Sequence, residues 1–156
     1  MKSCVVSGSY DPITKGHMDI ITRASEIFDK VYVVMLINPE KSYLFNRQQR
    51  MNMLSEAVGG IAVADLYDGY TVDYCKSVGA KFIVRGIRDI ESYKYEHRID
   101  IINRQLNPYV STIYFPANPT IKDISSTMIR DKLSKGEDIS PYVPEGILDM
   151  IGEYYG

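Results

Sequence analysis

Of the two histidines in this 156-residue chain, one stands where an imidazole could do chemistry. His17 closes the stretch Ser7-Gly8-Ser9-Tyr10-Asp11-Pro12-Ile13-Thr14-Lys15-Gly16-His17. An apolar run, Cys4-Val5-Val6, precedes it, and an amphipathic segment from Met18 to Phe28 follows. Strand, glycine-containing turn and helix start bring backbone N–H groups and the positive end of a helix to one point, which suits an anion. An imidazole at the mouth of that helix reaches whatever phosphate the amides hold, and donates a hydrogen bond whether neutral or charged. The helix dipole disfavours the imidazolium, whereas a bound polyphosphate favours it. His97, mid-helix beside Arg98, reads as a solvated side chain.

Three cations and a run of hydroxyls are the other candidates. Lys41 lies in Asn38-Pro39-Glu40-Lys41-Ser42, after the second apolar run. A loop lysine is ordinarily a solvated charge, but at the carboxyl edge of a strand it offers a mobile point charge to an anion. In Ile83-Val84-Arg85-Gly86-Ile87-Arg88-Asp89 a strand runs straight into two arginines. Either they pair with Asp89, Glu91 or Glu96 as surface ion pairs of little worth, or they leave the strand's ligand end beside a glycine that permits close backbone approach. Ser125-Ser126-Thr127 precedes an apolar helix as a cap, and a cap is also an amide nest for phosphate. Thr71, after Asp68-Gly69-Tyr70, reads as a helix N-cap.

These residues need a scaffold, and the chain supplies five apolar runs with helical patterns between them: Cys4-Val5-Val6, Val31 to Ile37, Ile61 to Leu66, Phe82-Ile83-Val84 and Thr112 to Phe115. The second is continuously apolar, as expected of a strand covered on both faces of a parallel sheet. Asn46 is positioned to cap a helix carrying Met51, Leu54 and Val58, and a shorter helix ends near Gly79. Ile90 to Leu106 spans a longer helix that Pro108 terminates. Ser125 or Ser126 starts another that Gly136 stops, and Val143-Pro144-Glu145 opens the last. Strand–helix alternation of this kind predicts a doubly wound, five-stranded parallel α/β sheet in a single domain over 1–156. Right-handed crossovers would then gather the Gly8 turn, the Asn38-Pro39 loop, the Asp68-Gly69-Tyr70 loop, Arg85-Gly86 and the segment from Pro116 in one cleft.

With 45% apolar residues the chain can fill a core, and its formal charge of −2 argues for no general nucleic-acid or membrane surface. No apolar run is long enough to span a bilayer, and the N-terminus enters a strand too soon for a signal peptide. Cys4 and Cys75 lack metal-type spacing and read as reduced, packed thiols. A cytoplasmic protein is the expectation.

Gly8-Ser9-Tyr10-Asp11-Pro12 followed by Thr14-Lys15-Gly16-His17 resembles the signature of the nucleotidyltransferase superfamily, in the Thr-x-Gly-His branch of the phosphopantetheine adenylyltransferases. Arg85-Gly86-Ile87-Arg88, Tyr95-Glu96 and Asn103-Arg104 resemble further motifs of that family. So do Gly69-Tyr70-Thr71-Val72-Asp73 and Ile124-Ser125-Ser126-Thr127, in the family's order. The last is equally at home in pyridine mononucleotide adenylyltransferases, and the 116–123 flank lacks an aromatic the family often carries near 121. The resemblance implies a Rossmann-like fold and transfer of the adenylyl group of ATP to 4'-phosphopantetheine, giving dephospho-coenzyme A and pyrophosphate. It implies Mg²⁺ and a homohexamer; since the sequence offers no obvious metal cage of carboxylates, the Mg²⁺ is expected to ride mainly on the ATP phosphates. By the same resemblance, His17 steadies the transition state with Lys41 and Arg88. ATP would meet Ser9, Tyr10, His17, Gly86, Ile87, Arg88, Glu96, Ile121, Lys122, Asp123, Ile124, Ser125, Ser126 and Thr127. Phosphopantetheine would meet Ser9, Lys41, Thr71, Arg85 and Asn103.

Overall fold

The apolar runs become strands that pair in parallel throughout. The computed structural model describes residues 1–156 as β1 (Ser3–Gly8), α1 (Lys15–Ile27), β2 (Lys30–Leu36), α2 (Arg47–Val58), β3 (Val63–Tyr67), α3 (Thr71–Val78), β4 (Phe82–Ile87), α4 (Ile90–Leu106), β5 (Ser111–Pro116), α5 (Ser126–Ser134) and α6 (Glu145–Tyr155). The sheet order is β3-β2-β1-β4-β5, so the chain reverses direction across the sheet between β1 and β4, where ligands bind in open α/β sheets.

Alternation along the central strands divides the core between two faces. Cys4, Val6, Val31, Val33, Met35 and Val84 pack with Ile21 and Ala24 of α1, Leu54 of α2, Ile129 of α5 and Ile147 of α6. Val5, Val34 and Ile83 turn the other way, against Val72, Tyr74 and Cys75 of α3. This two-sided cover is why β2 is apolar without interruption. Both cysteines are buried and free, and desolvation pushes their thiols up to about 12, so neither is a nucleophile at neutral pH.

Four boundaries differ from expectation. Helix α1 starts at Lys15, not Met18, because Thr14 caps it. Strand β3 begins at Val63, since Ile61 and Ala62 turn back to the Val58 carbonyl. Tyr70 rather than Thr71 is the N-cap of α3, and it makes no side-chain cap bond; the Thr71 hydroxyl is instead 3.0 Å from Ser7 Oγ. Pro144, expected within the first turn of the last helix, is instead the N-cap residue of α6. Asn46 caps α2 as predicted, in a reciprocal box with Gln49, and Ser125 is the cap of α5.

Candidate active site

Thr14 and His17 form a capping box. The Thr14 hydroxyl accepts from the His17 N–H at 3.2 Å, and the Thr14 N–H donates to His17 Nδ1 at 3.0 Å. A nitrogen that accepts carries no proton, so the neutral ring holds its hydrogen on Nε2, on the side away from the helix start. Burial first, and the Arg85 charge second, lower the His17 pKa from 6.5 to about 4. At neutral pH this side chain is therefore an uncharged Nε2–H donor of fixed tautomer. Tyr10 holds the ring from one side, edge to face at 4.9 Å, while its own hydroxyl donates to the Val6 carbonyl. The Tyr10 backbone is left-handed (φ 47°), an uncommon conformation that suits a tight functional turn.

Two cavities of about 380 and 370 Å³ open at the carboxyl edge of the sheet, and Ser7, Gly8, Ser9 and Arg85 border both. The first adds Tyr10, His17, Gly86, Arg88, Ile121, Lys122, Ile124, Ser125 and Ser126. The second adds Gly69, Tyr70, Thr71, Glu96, Asp100 and Asn103. The one cleft expected from the topology is thus two chambers with a common wall. Asn38 and Pro39 line neither, but their loop sends Lys41 back so that Nζ lies 3.2 Å from Ser9 Oγ, on that wall.

Around the first chamber, two helix starts converge. Ser125 caps α5 by accepting from Met128 N–H at 3.1 Å, and Ser126 Oγ donates to the Pro12 carbonyl at 2.7 Å, which ties α5 to the β1–α1 turn. Gly16 makes this approach possible: a Cβ there would lie 3.1 Å from the Ile124 carbonyl oxygen. Gly16→Ala is expected to cost about 1–2 kcal/mol by overpacking, seen as a lower urea midpoint at unchanged slope. An unchanged midpoint would show that the two helix starts do not meet as described. No ion pair engages the Arg88 guanidinium, which stays available to a ligand. Hydrogen bonds from Ser92, and then the nearby Arg88 and Lys122 charges, hold the Asp89 carboxyl below its usual range, which puts both cations in one neighbourhood.

Not every expected residue reaches a chamber. Lys41, Ile87, Asp123 and Thr127 border neither, although Lys41 Nζ reaches Ser9 on the shared wall, and the Thr127 hydroxyl accepts from Arg130. Glu96 borders the second chamber and not the nucleotide-sized space beside His17; both its oxygens accept from Arg85, at 2.9 Å each. Three residues essential to the geometry escaped the sequence reading in this role. Buried Asp11 accepts from the N–H groups of Leu44 and Phe45, anchoring the loop that bears Lys41. Arg130 donates to the Asp11 carbonyl at 2.7 Å, and Arg50 donates to the carbonyls of Phe45 and Ser9. The only signal for Asp11 was its place in the motif; for the arginines there was none beyond their helices.

The chain is similar to known proteins over most of its length. A cytidylyltransferase-like family model matches residues 5–132. The chain is 38% identical to a phosphopantetheine adenylyltransferase of Heliobacterium modesticaldum, covering 100% of this chain and 94% of that protein. It is 43% identical to one of Streptococcus pneumoniae, covering 93% and 91%. A solved Vibrio parahaemolyticus structure described as a nicotinate-nucleotide adenylyltransferase superposes with a TM-score of 0.75 at 18% identity, over 98% of this chain and 93% of that one, and so speaks for the fold alone. Fold and site define a nucleotidyltransferase of the cytidylyltransferase-like class. Within that class, the identities over nearly the whole length place the chain in the phosphopantetheine adenylyltransferase family.

Proposed function

We propose that this protein transfers the adenylyl group of ATP to 4'-phosphopantetheine, releasing pyrophosphate and dephospho-coenzyme A. The observation that carries this reading is the pair of similar chambers meeting at Ser7–Ser9 and Arg85, with His17 on one side of the shared wall and Thr71 and Asn103 on the other. Two substrates would lie end to end, their phosphates meeting at the wall. The attacking group is already an anionic phosphate, so the reaction needs alignment and charge compensation more than a base. The α1 start and the His17 Nε2–H would face the α-phosphoryl oxygens as charge builds there. The α5 start, Arg88 and Lys122 would hold the outgoing pyrophosphate, and Lys41 and Arg85 the incoming phosphate.

No group of three or more His, Cys, Asp or Glu side chains is placed to hold a metal ion. Mg²⁺ is proposed to travel mainly on the ATP phosphates and their water, as this hard cation commonly does, and no step is routed through it. No helix is long and apolar enough to cross a membrane. A cytoplasmic location is proposed with the biosynthetic role. The homohexamer is proposed as well, with the exposed Ile90, Tyr93, Tyr95, Ile101, Ile102 and Leu106 of α4 as interface; light scattering should give about six times 17.7 kDa.

Incubation with ATP and 4'-phosphopantetheine should release pyrophosphate, and dephospho-coenzyme A with pyrophosphate should regenerate ATP. Release with nicotinate mononucleotide and not with phosphopantetheine would overturn the reading. Lys41→Ala is expected to raise the dissociation constant for phosphopantetheine about tenfold or more, the worth of one charge-assisted bond, with ATP affinity kept. Calorimetry showing unchanged phosphopantetheine affinity would remove Lys41 from the acceptor site.

A further inference from the structure

The geometry points to Glu96 as a positioning residue for the acceptor phosphate, acting through Arg85 and not on the nucleotide. This rests on the adenylyl-transfer reading above. A guanidinium carries five N–H donors, none of which it can lose in a protein. On Arg85, Glu96 takes one from Nε and one from Nη2, at 2.9 Å each, and the Ser7 carbonyl takes one from Nη1 at 2.7 Å. Two donors are left, one on each terminal nitrogen, and Arg85 borders both chambers. Donors on two nitrogens of one guanidinium suit two oxygens of one phosphate.

Glu96 has little freedom to do anything else. It is 7% exposed, lies on α4, and both its oxygens are committed to the fork with Arg85. With two of its three bonds to protein made by one carboxylate, the Arg85 fork is aimed chiefly by Glu96. The same carboxylate offsets the guanidinium charge, so Arg85 selects its ligand by direction more than by bulk attraction. A phosphate approaching along the second chamber meets a donor pair already oriented, and spends none of its binding energy ordering a long flexible side chain.

The test is a kinetic cycle on the full-length protein, with initial rates of pyrophosphate release. In Glu96→Gln the amide can keep only one of the two bonds and turns an N–H toward a donor. The KM for phosphopantetheine is expected to rise about tenfold or more, while the KM for ATP stays within about twofold. In an Arg85→Lys background, where no fork exists to be aimed, Glu96→Gln should add no further rise in the phosphopantetheine KM. Should Glu96→Gln fail to fold, Glu96→Asp serves, since it keeps the charge but is one methylene too short for both bonds. A rise in the ATP KM, equal losses in both backgrounds, or no change at all would overturn the inference. Failure of the wild-type protein to release pyrophosphate would instead sink the underlying reading, so the two outcomes are distinct.

Discussion

Replacing His17 by alanine should lower kcat for pyrophosphate release at least about a hundredfold, the usual effect of removing one preorganised donor from a developing oxyanion. The dissociation constants of both substrates should change little, because the contact strengthens only as the α-phosphorus gains its fifth oxygen. His17 also closes the cap of α1, so the alanine variant alone confounds catalysis with local folding. His17→Gln separates them. A glutamine at this third helical position can still reach back to the Thr14 N–H, as in an ordinary capping box, but it cannot place a donor where Nε2–H stands. It should therefore unfold at nearly the wild-type urea concentration and yet be as slow as the alanine variant. If both variants retained substantial turnover, or if the loss lay wholly in substrate affinity, the imidazole would have no role in the transition state.

The same geometry fixes a pH dependence. With a His17 pKa near 4 in the folded chain against about 6.5 unfolded, the working neutral form persists down to about pH 5. The kcat/KM for ATP, which reports the free enzyme, should show no His17 titration between pH 8 and 5. Between the two pKa values the unfolded chain binds the extra proton and the folded chain does not. Stability contributed by neutral His17 is thus complete above about pH 6.5 and is lost as pH falls through about 4. Urea midpoints should fall less on acidification for His17→Gln than for the wild type.

How far the sequence could be read follows from the range of the forces involved. The parallel sheet was legible because uninterrupted apolarity in Val31 to Ile37 has few other causes, and the phosphate-facing turn because strand, glycine and helix start are contiguous. Local bonds are legible in the same way, as with Asn46 and Gln49, three residues apart. The His17 tautomer was open in the sequence because either nitrogen of a neutral imidazole can carry the proton; only the Thr14 N–H resolves it. Thr71 was misread because a hydroxyl at a helix start normally caps it, whereas here the parallel strand β1 presents Ser7 to that hydroxyl across 64 positions. Glu96 could have paired with either neighbouring arginine or with a ligand, and spacing alone does not say which. Arg130 reaching Asp11 across 119 positions leaves no periodic trace at all.

Asp11 therefore carries the second large expectation. Its carboxylate is 3% exposed, accepts from Leu44 N–H at 2.9 Å and from Phe45 N–H at 3.0 Å, and lies 3.7 Å from Arg130 Nη1. Asp11→Ala strands the Phe45 N–H in the core and leaves the half-buried Arg130 without its counter-charge. Bonds to a charged group contribute about 1.5–3 kcal/mol each, so the loss should be about 3–4 kcal/mol, or roughly 10 °C in Tm for a domain of this size. Asp11→Asn should recover little, because its amide nitrogen would face a second donor. Asp11 also joins three pieces of the site: the turn that bears His17, the loop that bears Lys41, and, through Arg130 and Thr127, the start of α5. Below the lowered Tm, where the variant is still folded, the phosphopantetheine KM should rise more than the ATP KM, since Lys41 loses its anchor while Ser125 keeps its own cap. A Tm within 3 °C of wild type, about 1 kcal/mol by the same scaling, would mean that the loop is held by the sheet edge and not by this carboxylate.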